Sequence, residues 1–272
     1  MTEDLTGHCL KRPLRFLWRT YIAWAVRHPG LALPAPKKLP GAGWGWVHPY
    51  YLRDAWMPDA DGVCKTLERL LEPGKSFFDV GANIGQTAIV GSRRVGRRGR
   101  VAAFEPSAPN IQMLSYHVRW NRLRNVRVES TCVGASDGEA EFSLLNNGFD
   151  TSNSLTFFRR SNLVELQQRS HKTTVRVTTI DKYCQRTNLV PDLIKIDVEG
   201  AEFDVLVGMR EVLTTKRPVL VMGLHPFWWP DGQAQFAIRD ILTQCDYQVK
   251  SLQGEEATPD VYADFVCSPR RV

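Results

Sequence analysis

Apolar positions recur along this chain with two periods, and the switches between them mark its elements. Leu14, Leu17, Trp18, Tyr21, Ile22 and Ala25 fall at helical spacing with Arg12, Arg15 and Arg19 beside them, which predicts an amphipathic helix stopped near Pro29-Gly30. The stretch Leu31 to Pro49, rich in proline and holding Gly41, Gly43 and Gly45, predicts a linker without regular structure. Val63, Thr66, Leu67, Leu70 and Leu71 share one helical face over Gly62 to Leu71. A short apolar run, Phe77, Phe78 and Val80, then enters the turn Gly81-Ala82-Asn83-Ile84-Gly85, and a helix follows from Gln86 to about Arg94. Arg100 to Phe104 reads as a second strand, Pro109 to Asn121 as a helix and Val126 to Val133 as a third strand, completing a β-α-β-α-β half.

The second half repeats the pattern with one interruption. Glu139 to Leu145 and Lys172 to Thr179 alternate apolar and polar residues, which predicts two strands. Between them Asn146 to His171 is rich in Asn, Ser and Arg, and is either an acceptor-binding loop or a plain surface excursion. Leu193 to Val198 is a fourth core strand with a helix after it from Ala201 to Met209. Pro218 to Leu224 is a fifth strand, delivering His225 to the same rim. Gln233 to Gln244 predicts a helix, and the strands Tyr247 to Leu252 and Ala263 to Cys267 close the sheet with an antiparallel edge. The fold class is therefore α/β, a mostly parallel sheet flanked by helices over residues 76–272, preceded by an N-terminal extension over 1–75.

The glycine turn carries the first chemical signal. A strand that ends in such a turn and opens a helix presents unpaired N–H groups to an anionic ligand. The spacing here is Gly-x-x-x-Gly, short of the Gly-x-Gly-x-x-Gly of a dinucleotide site and without the Lys-Ser/Thr of a phosphate loop. Glu105, twenty-four residues past Gly81 at the end of the second strand, is placed to accept hydrogen bonds from a ribose. A glycine loop with a ribose acid indicates a nucleoside cofactor, and S-adenosylmethionine fits best. Asp79, Gly81, Asn83, Gly85, Glu105 and Asp197 are the candidate cofactor residues.

The segments DVGANIG, FEP and IKIDVEGAE, at this spacing, resemble the FkbM-type methyltransferases, over roughly Ser76 to Ser251. The resemblance implies a class I, Rossmann-like fold with a seven-stranded sheet, S-adenosylmethionine as methyl donor, and a hydroxyl acceptor on a sugar or other natural-product scaffold. It also implies that Gly134-Ala135-Ser136-Asp137 holds the adenine, so Ser136 and Asp137 join the candidates, and that Asn153-Ser154 lies near the site. Members of that family often carry a glutamate just before the position of His225; here Gly223 stands in that neighbourhood.

Methyl transfer to a hydroxyl needs positioning and usually a base. Asp197, Glu199 and His225 are the candidate catalytic residues, although Glu199 or Glu202 would also serve as a helix cap. In a variant reading Asp197, Glu199 and His225 hold a divalent ion, magnesium being favoured by oxygen-rich ligation.

Charge and cysteines bound the partners. The net +6 is concentrated in residues 1–40, where seven Lys/Arg face Glu3 and Asp4 for a net +5, and basic residues are not spread over the catalytic face as nucleic-acid enzymes usually have them. No nucleic-acid partner is expected. The basic amphipathic helix over residues 12–27 would lie on an anionic membrane surface, pack on its own domain or meet a second subunit in a homo-oligomer. Trp44, Trp46, Tyr50, Tyr51 and Trp56 would stack on sugar rings or cover a core edge. Six scattered cysteines without a Cys-x-x-Cys pair suggest a reducing, cytoplasmic setting, peripheral to the inner face of the membrane if the helix binds lipid. The expected function is an O-methyltransferase acting on a carbohydrate or glycolipid intermediate. Polyketide or other natural-product hydroxyls are an alternative acceptor, and a nicotinamide-binding or non-catalytic Rossmann-like protein is the rival from another class.

Overall fold

A computed structural model describes residues 12–52, 60–145, 170–225, 234–259 and 263–270. In chain order these hold α1 (Arg12–Arg27), β1 (Ala35–Leu39), β2 (Gly43–Val47), α2 (Ala60–Leu70), β3 (Ser76–Val80), α3 (Gln86–Val95), β4 (Arg100–Phe104) and α4 (Ala108–Trp120). There follow β5 (Val126–Glu129), β6 (Cys132–Val133), β7 (Gly138–Leu145), β8 (Ser170–Thr178), α5 (Ile180–Thr187), β9 (Leu193–Ile196), α6 (Glu202–Val207) and α7 (Arg210–Thr215). The last elements are β10 (Val219–Leu224), α8 (Ala234–Gln244), β11 (Tyr247–Ser251) and β12 (Ala263–Pro269).

Seven strands form the central sheet in the order β11-β12-β10-β9-β3-β4-β5. β3 pairs in parallel with both β4 and β9, so the switch of strand order lies at the end of β3, where a doubly wound sheet opens its ligand crevice. Consecutive residues point to opposite faces, and both faces are covered, which is why apolar residues dominate β3, β4, β9 and β10, with Asp79 and Lys195 as the charged exceptions on β3 and β9. Phe78, Ile194 and Met222 enter one core with Phe104 and Tyr183, whose rings meet edge-on at 4.8 Å. Phe77, Leu193 and Val221 enter the other, with Leu67 and Val90 from α2 and α3.

Two expectations are corrected and two are met. The third strand is not continuous from Val126 to Val133: β5 stays in the main sheet, while β6 leaves it and pairs with β8, which pairs with β7. The helix expected over Ala201 to Met209 is found as α6, and a second short helix, α7, follows it after Gly208 and Met209. The last two strands close the sheet with an antiparallel edge as expected, β12 pairing antiparallel with both β10 and β11. The supposed linker contains a hairpin, Ala35 facing Val47 and Leu39 facing Gly43. Leu39 and Val47 are buried against Ile84, Ile89, Met113 and Leu123, so the hairpin covers the outer side of α3 and α4. Tyr51 is buried there too, whereas Trp44 and Trp46 face outward.

Asn153, Ser154 and Trp56 lie outside the described residues, as does most of the Asn146 to His171 excursion. Among the described residues no helix is long and apolar enough to cross a membrane.

Candidate active site

The turn after β3 is held by three left-handed residues, Gly81 (φ 78°), Asn83 (φ 50°) and Gly85 (φ 96°). Glycine is required at two of them for a reason other than ligand approach. A Cβ on Gly81 would lie 1.9 Å from the Asp197 carbonyl oxygen, and one on Gly85 would lie 2.5 Å from Leu114 Cδ1. The first glycine lets the end of β3 touch the chain leaving β9; the second lets α3 close on α4. Gly81 and Asn83 line the cavity at this rim, with Gln86 and Thr87 of the first turn of α3; Gly85 does not.

Glu105 braces the same turn. Its Oε2 accepts from the Asn83 N–H at 2.8 Å, and its Oε1 accepts from the Ser107 N–H at 2.9 Å and Asn110 Nδ2 at 3.4 Å. Burial pushes its pKa up to about 7 against the pull of these donors. A carboxylate has about four lone-pair sites, so one acceptor position remains toward the cavity that Glu105 lines.

Asp79 lies behind the wall. It is fully buried, accepts from Thr87 Oγ1 at 2.7 Å, and stands 3.6 Å from Lys195 Nζ. Lys195 donates to the Gly81 carbonyl at 2.7 Å and reaches Asp197 at 3.3 Å. Burial would lower the Lys195 pKa, but Asp197 and Asp79 outweigh it and raise the value. The ammonium thus ties β3, the glycine turn and β9 together, and Asp79 acts as its counter-ion rather than as a ligand-facing group.

Ser136 and Asp137 do not line the cavity. Asp137 Oδ1 accepts from the Thr179 N–H at 2.9 Å and from Thr178 Oγ1 at 3.2 Å, fixing the turn before β7. Because β6 bends away from the main sheet, Thr131, Cys132 and Val133 take the wall position instead, with Phe142 from β7.

Asp197, Glu199 and His225 do converge. His225 Nε2 is 3.6 Å from Asp197 Oδ1 and 3.8 Å from Glu199 Oε2, and its Nδ1–H donates to Glu202 Oε1 at 2.9 Å. Glu202 is fully buried and also accepts from the Gly200 N–H at 3.0 Å, so it fixes the turn before its helix and orients the imidazole at once. Glu199 adopts φ 52°, a left-handed conformation costly for a side-chain-bearing residue, and the turn it makes aims its carboxylate back at His225. Burial would lower the His225 pKa, but the Glu202 hydrogen bond and the charges of Asp197 and Glu199 push it up to about 9. Asp197, which burial would raise, is held below the ordinary carboxylate range by Lys195 and His225. At neutral pH the cluster therefore holds an imidazolium among carboxylates.

The missing glutamate has a substitute from across the sheet. Gly223 faces Asp264 in the β10–β12 register, and a Cβ on Gly223 would meet Asp264 Oδ1 at 3.1 Å, His225 Cε1 at 3.4 Å and Asp197 Oδ1 at 3.6 Å. The glycine leaves the room into which Asp264 delivers a carboxylate, and Asp264 lines the cavity.

A glycine turn at the switch point, an acid after the neighbouring strand and an acid–imidazole cluster facing both leave the question of family to comparison. The FkbM methyltransferase domain matches residues 79–249. The chain belongs to that family, and it is a methyltransferase. It is also 30% identical over 188 residues to the AMB antimetabolite synthetase AmbE of Pseudomonas aeruginosa, a match covering 57% of this chain but only 9% of AmbE. A solved FkbM methyltransferase from Methylobacillus flagellatus is 16% identical, with 78% of this chain and 55% of that one covered, at a TM-score of 0.47. Aeropyrum pernix fibrillarin, solved with natively bound S-adenosyl-L-methionine, is 14% identical over 72% of this chain and 67% of its own, at a TM-score of 0.40.

Within this FkbM domain the sequence reading missed Lys195 as an anchor, Glu202 as the partner of His225, and His117. The last is buried at the back of the glycine turn. Its Nε2 accepts from the His48 N–H at 3.0 Å, which fixes the tautomer, so Nδ1–H donates to the Ile84 carbonyl at 2.7 Å. Burial lowers its pKa to about 4, keeping it neutral. His48 in turn reaches the Ala25 carbonyl through Nε2 at 3.3 Å, linking α1 to the cofactor turn. The signal available in the sequence was only a histidine on the core-facing side of α4. Asp264 and the hairpin lie outside the matched span, and no periodicity pointed to either.

Proposed function

We propose that this enzyme transfers a methyl group from S-adenosylmethionine to a hydroxyl of a carbohydrate or glycolipid intermediate. The observation that carries the reading is the convergence of Asp197, Glu199 and His225 at the cavity that the glycine turn and Glu105 also line. Asn83 and the first turn of α3 would receive the amino-acid end of the donor, Glu105 its ribose through the remaining acceptor position, and Cys132, Val133 and Phe142 its base. When bound, the donor supplies an electrophilic methyl on a sulfonium.

The residues of this chain then do the proton chemistry. His225 is the group assigned to take the acceptor proton, at Nε2, while Glu202 holds Nδ1 and fixes the ring. In the free protein Nε2 is protonated, so it must first lose that proton. A cation entering beside Asp197 and Glu199 lowers the His225 pKa by like-charge repulsion and releases it. Glu199 and Asp264 are placed to receive hydroxyl hydrogen bonds from the acceptor.

The variant with a metal rests on the Asp197, Glu199 and His225 ligand atoms lying within 4.8 Å of one another. A nitrogen ligand in that set suits magnesium poorly, since it prefers oxygen. The five described cysteines are free and buried, which supports a reducing compartment.

The test combines calorimetry with a transfer assay. S-adenosylmethionine should bind with release of a proton near neutral pH, visible as a heat that varies with buffer ionisation enthalpy. Labelled methyl should then pass to fractionated glycans or lipid-linked saccharides, with no loss on adding chelator. Stabilisation by a nicotinamide nucleotide but not by S-adenosylmethionine would overturn the reading, and a chelator-sensitive rate would replace the metal-free chemistry.

A further inference from the structure

The surface built by α1, the loop behind it and the hairpin has a composition that the catalytic fold does not need. Residues 12–47 contain six Lys/Arg (Arg12, Arg15, Arg19, Arg27, Lys37 and Lys38) and no Asp or Glu. Nine large apolar side chains are exposed among the described residues, and seven of them fall here: Phe16, Leu17, Trp24, Leu31, Leu33, Trp44 and Trp46. Single exposed apolar residues are ordinary, but seven within one module are not.

These side chains belong to one joined surface. α1 turns Ala25 fully into the protein and half-buries Tyr21 and Ile22, so its packing needs are met by that face; Leu17 and Trp24, seven residues apart, share the adjoining flank, and Phe16 lies on the side away from Ala25. Tyr21 Oη accepts from the Leu33 N–H at 2.9 Å, tying the helix to the loop. Pro34, Trp44, Trp46 and Trp120 wall a recess with Arg122 at its edge, and the Trp120 ring stacks on Tyr116 at 5.3 Å. Arg93 in that recess is committed to the Ala42 carbonyl and to Asn121, so it is a brace, and Arg122 is the exposed cation there.

We infer that this surface docks on an anionic lipid bilayer, with the indoles and leucines at the headgroup–acyl boundary and the cations on lipid phosphates. Sixteen residues of α1 extend about 24 Å, enough to lie along an interface. Charge decides against the other occupants. A second copy meeting this surface by two-fold symmetry would set the exposed Arg19, Lys38 and Arg122 against the same three cations. A nucleic acid would satisfy the cations but leave Phe16, Leu17, Leu31 and Leu33 in water. The inference deepens the proposed function by placing the acceptor at a membrane, and in that clause alone rests on it, because vesicle binding is read with no acceptor present.

Flotation of the full chain with phosphatidylcholine vesicles, with and without phosphatidylglycerol, tests the inference. Binding should require phosphatidylglycerol and weaken as salt rises, since screening removes the attraction. Arg19→Glu with Lys38→Glu should reduce partitioning by at least about fivefold per cation, the equivalent of about 1 kcal/mol each. Leu31→Ser with Leu33→Ser, and Trp44→Ser with Trp46→Ser, should weaken it with the melting temperature unchanged. Should those variants misfold, quenching of native tryptophan fluorescence by brominated lipid reads insertion without any substitution. Absence of flotation, equal binding to neutral vesicles, or no quenching overturns the inference. So does a concentration-dependent dimer abolished by the tryptophan changes, or retention on single-stranded nucleic acid without vesicle binding.

Discussion

Two buried histidines, one behind the glycine turn and one lining the cavity, are set to opposite protonation states. His117 accepts at one nitrogen from a backbone N–H and donates at the other to a backbone carbonyl, and burial lowers its pKa to about 4. His225 faces Glu202, Asp197 and Glu199, and is pushed up to about 9. Burial acts on both in the same direction; the partners decide. A neutral imidazole bonded to the backbone of the glycine turn holds a shape, whereas an imidazolium among acids at the cavity stores a proton that can be released.

The largest expected effect comes from removing the second histidine. His225→Gln should lower kcat by about 10²–10⁴ while leaving S-adenosylmethionine affinity in calorimetry largely intact, as loss of a general base does. Near-normal turnover would remove His225 from the chemistry. Glu202→Gln should act through the ring instead, shifting the pH–rate profile to lower pH with a smaller loss in kcat.

Stability against pH separates the two histidines by sign. For His117 the folded pKa lies below the ordinary 6.5, so its contribution is full above about pH 6.5 and is lost as pH falls through about 4. For His225 the folded pKa lies above 6.5, so its contribution is full below about pH 6.5 and is lost as pH rises through about 9. Each shift corresponds to up to about 3 kcal/mol. Glu105, raised to about 7, opposes His117 across the acid window, so the readout is the difference between the parent and a His117→Gln variant in urea unfolding at each pH. That gap should shrink toward pH 4, and the gap for His225→Gln should shrink toward pH 9. The same slope in both would dissolve the comparison.

A third expectation sharpens the wall that His117 supports. Glu105→Gln should weaken S-adenosylmethionine binding by about 1.5–3 kcal/mol in calorimetry, the worth of a hydrogen bond to a charged group. Unchanged affinity would remove the ribose role. The smallest effect is at Asp264: Asp264→Asn should raise KM for the acceptor more than it lowers kcat, with donor affinity unaltered.

The central sheet, the glycine turn and the acids at the strand ends were legible because each is a local pattern. A short apolar-rich strand, a glycine pair four apart and a carboxylate at a strand's end report themselves wherever the chain goes. The three groups of the acid–imidazole cluster were legible too, since two strands flanking the switch point must deliver their ends to one rim.

What depends on pairing between distant segments was not legible. Asp264 reaches the site only because β12 runs antiparallel beside β10 and sets it opposite Gly223. Lys195 is buried on a core strand because Asp79 and the Gly81 carbonyl from the β3 segment join the neighbouring Asp197 around its ammonium. Ser136 and Asp137 were displaced because β6 leaves the main sheet to pair with β8, a choice made by a strand more than forty residues away. Prolines and glycines hid the hairpin, whose strands exist because Leu39 and Val47 find Ile89 and Met113 to cover. Local sequence determined which segments could be strands, helices and turns. Only the tertiary structure decided which charges meet, because the energy of a buried charge belongs to the partners brought to it.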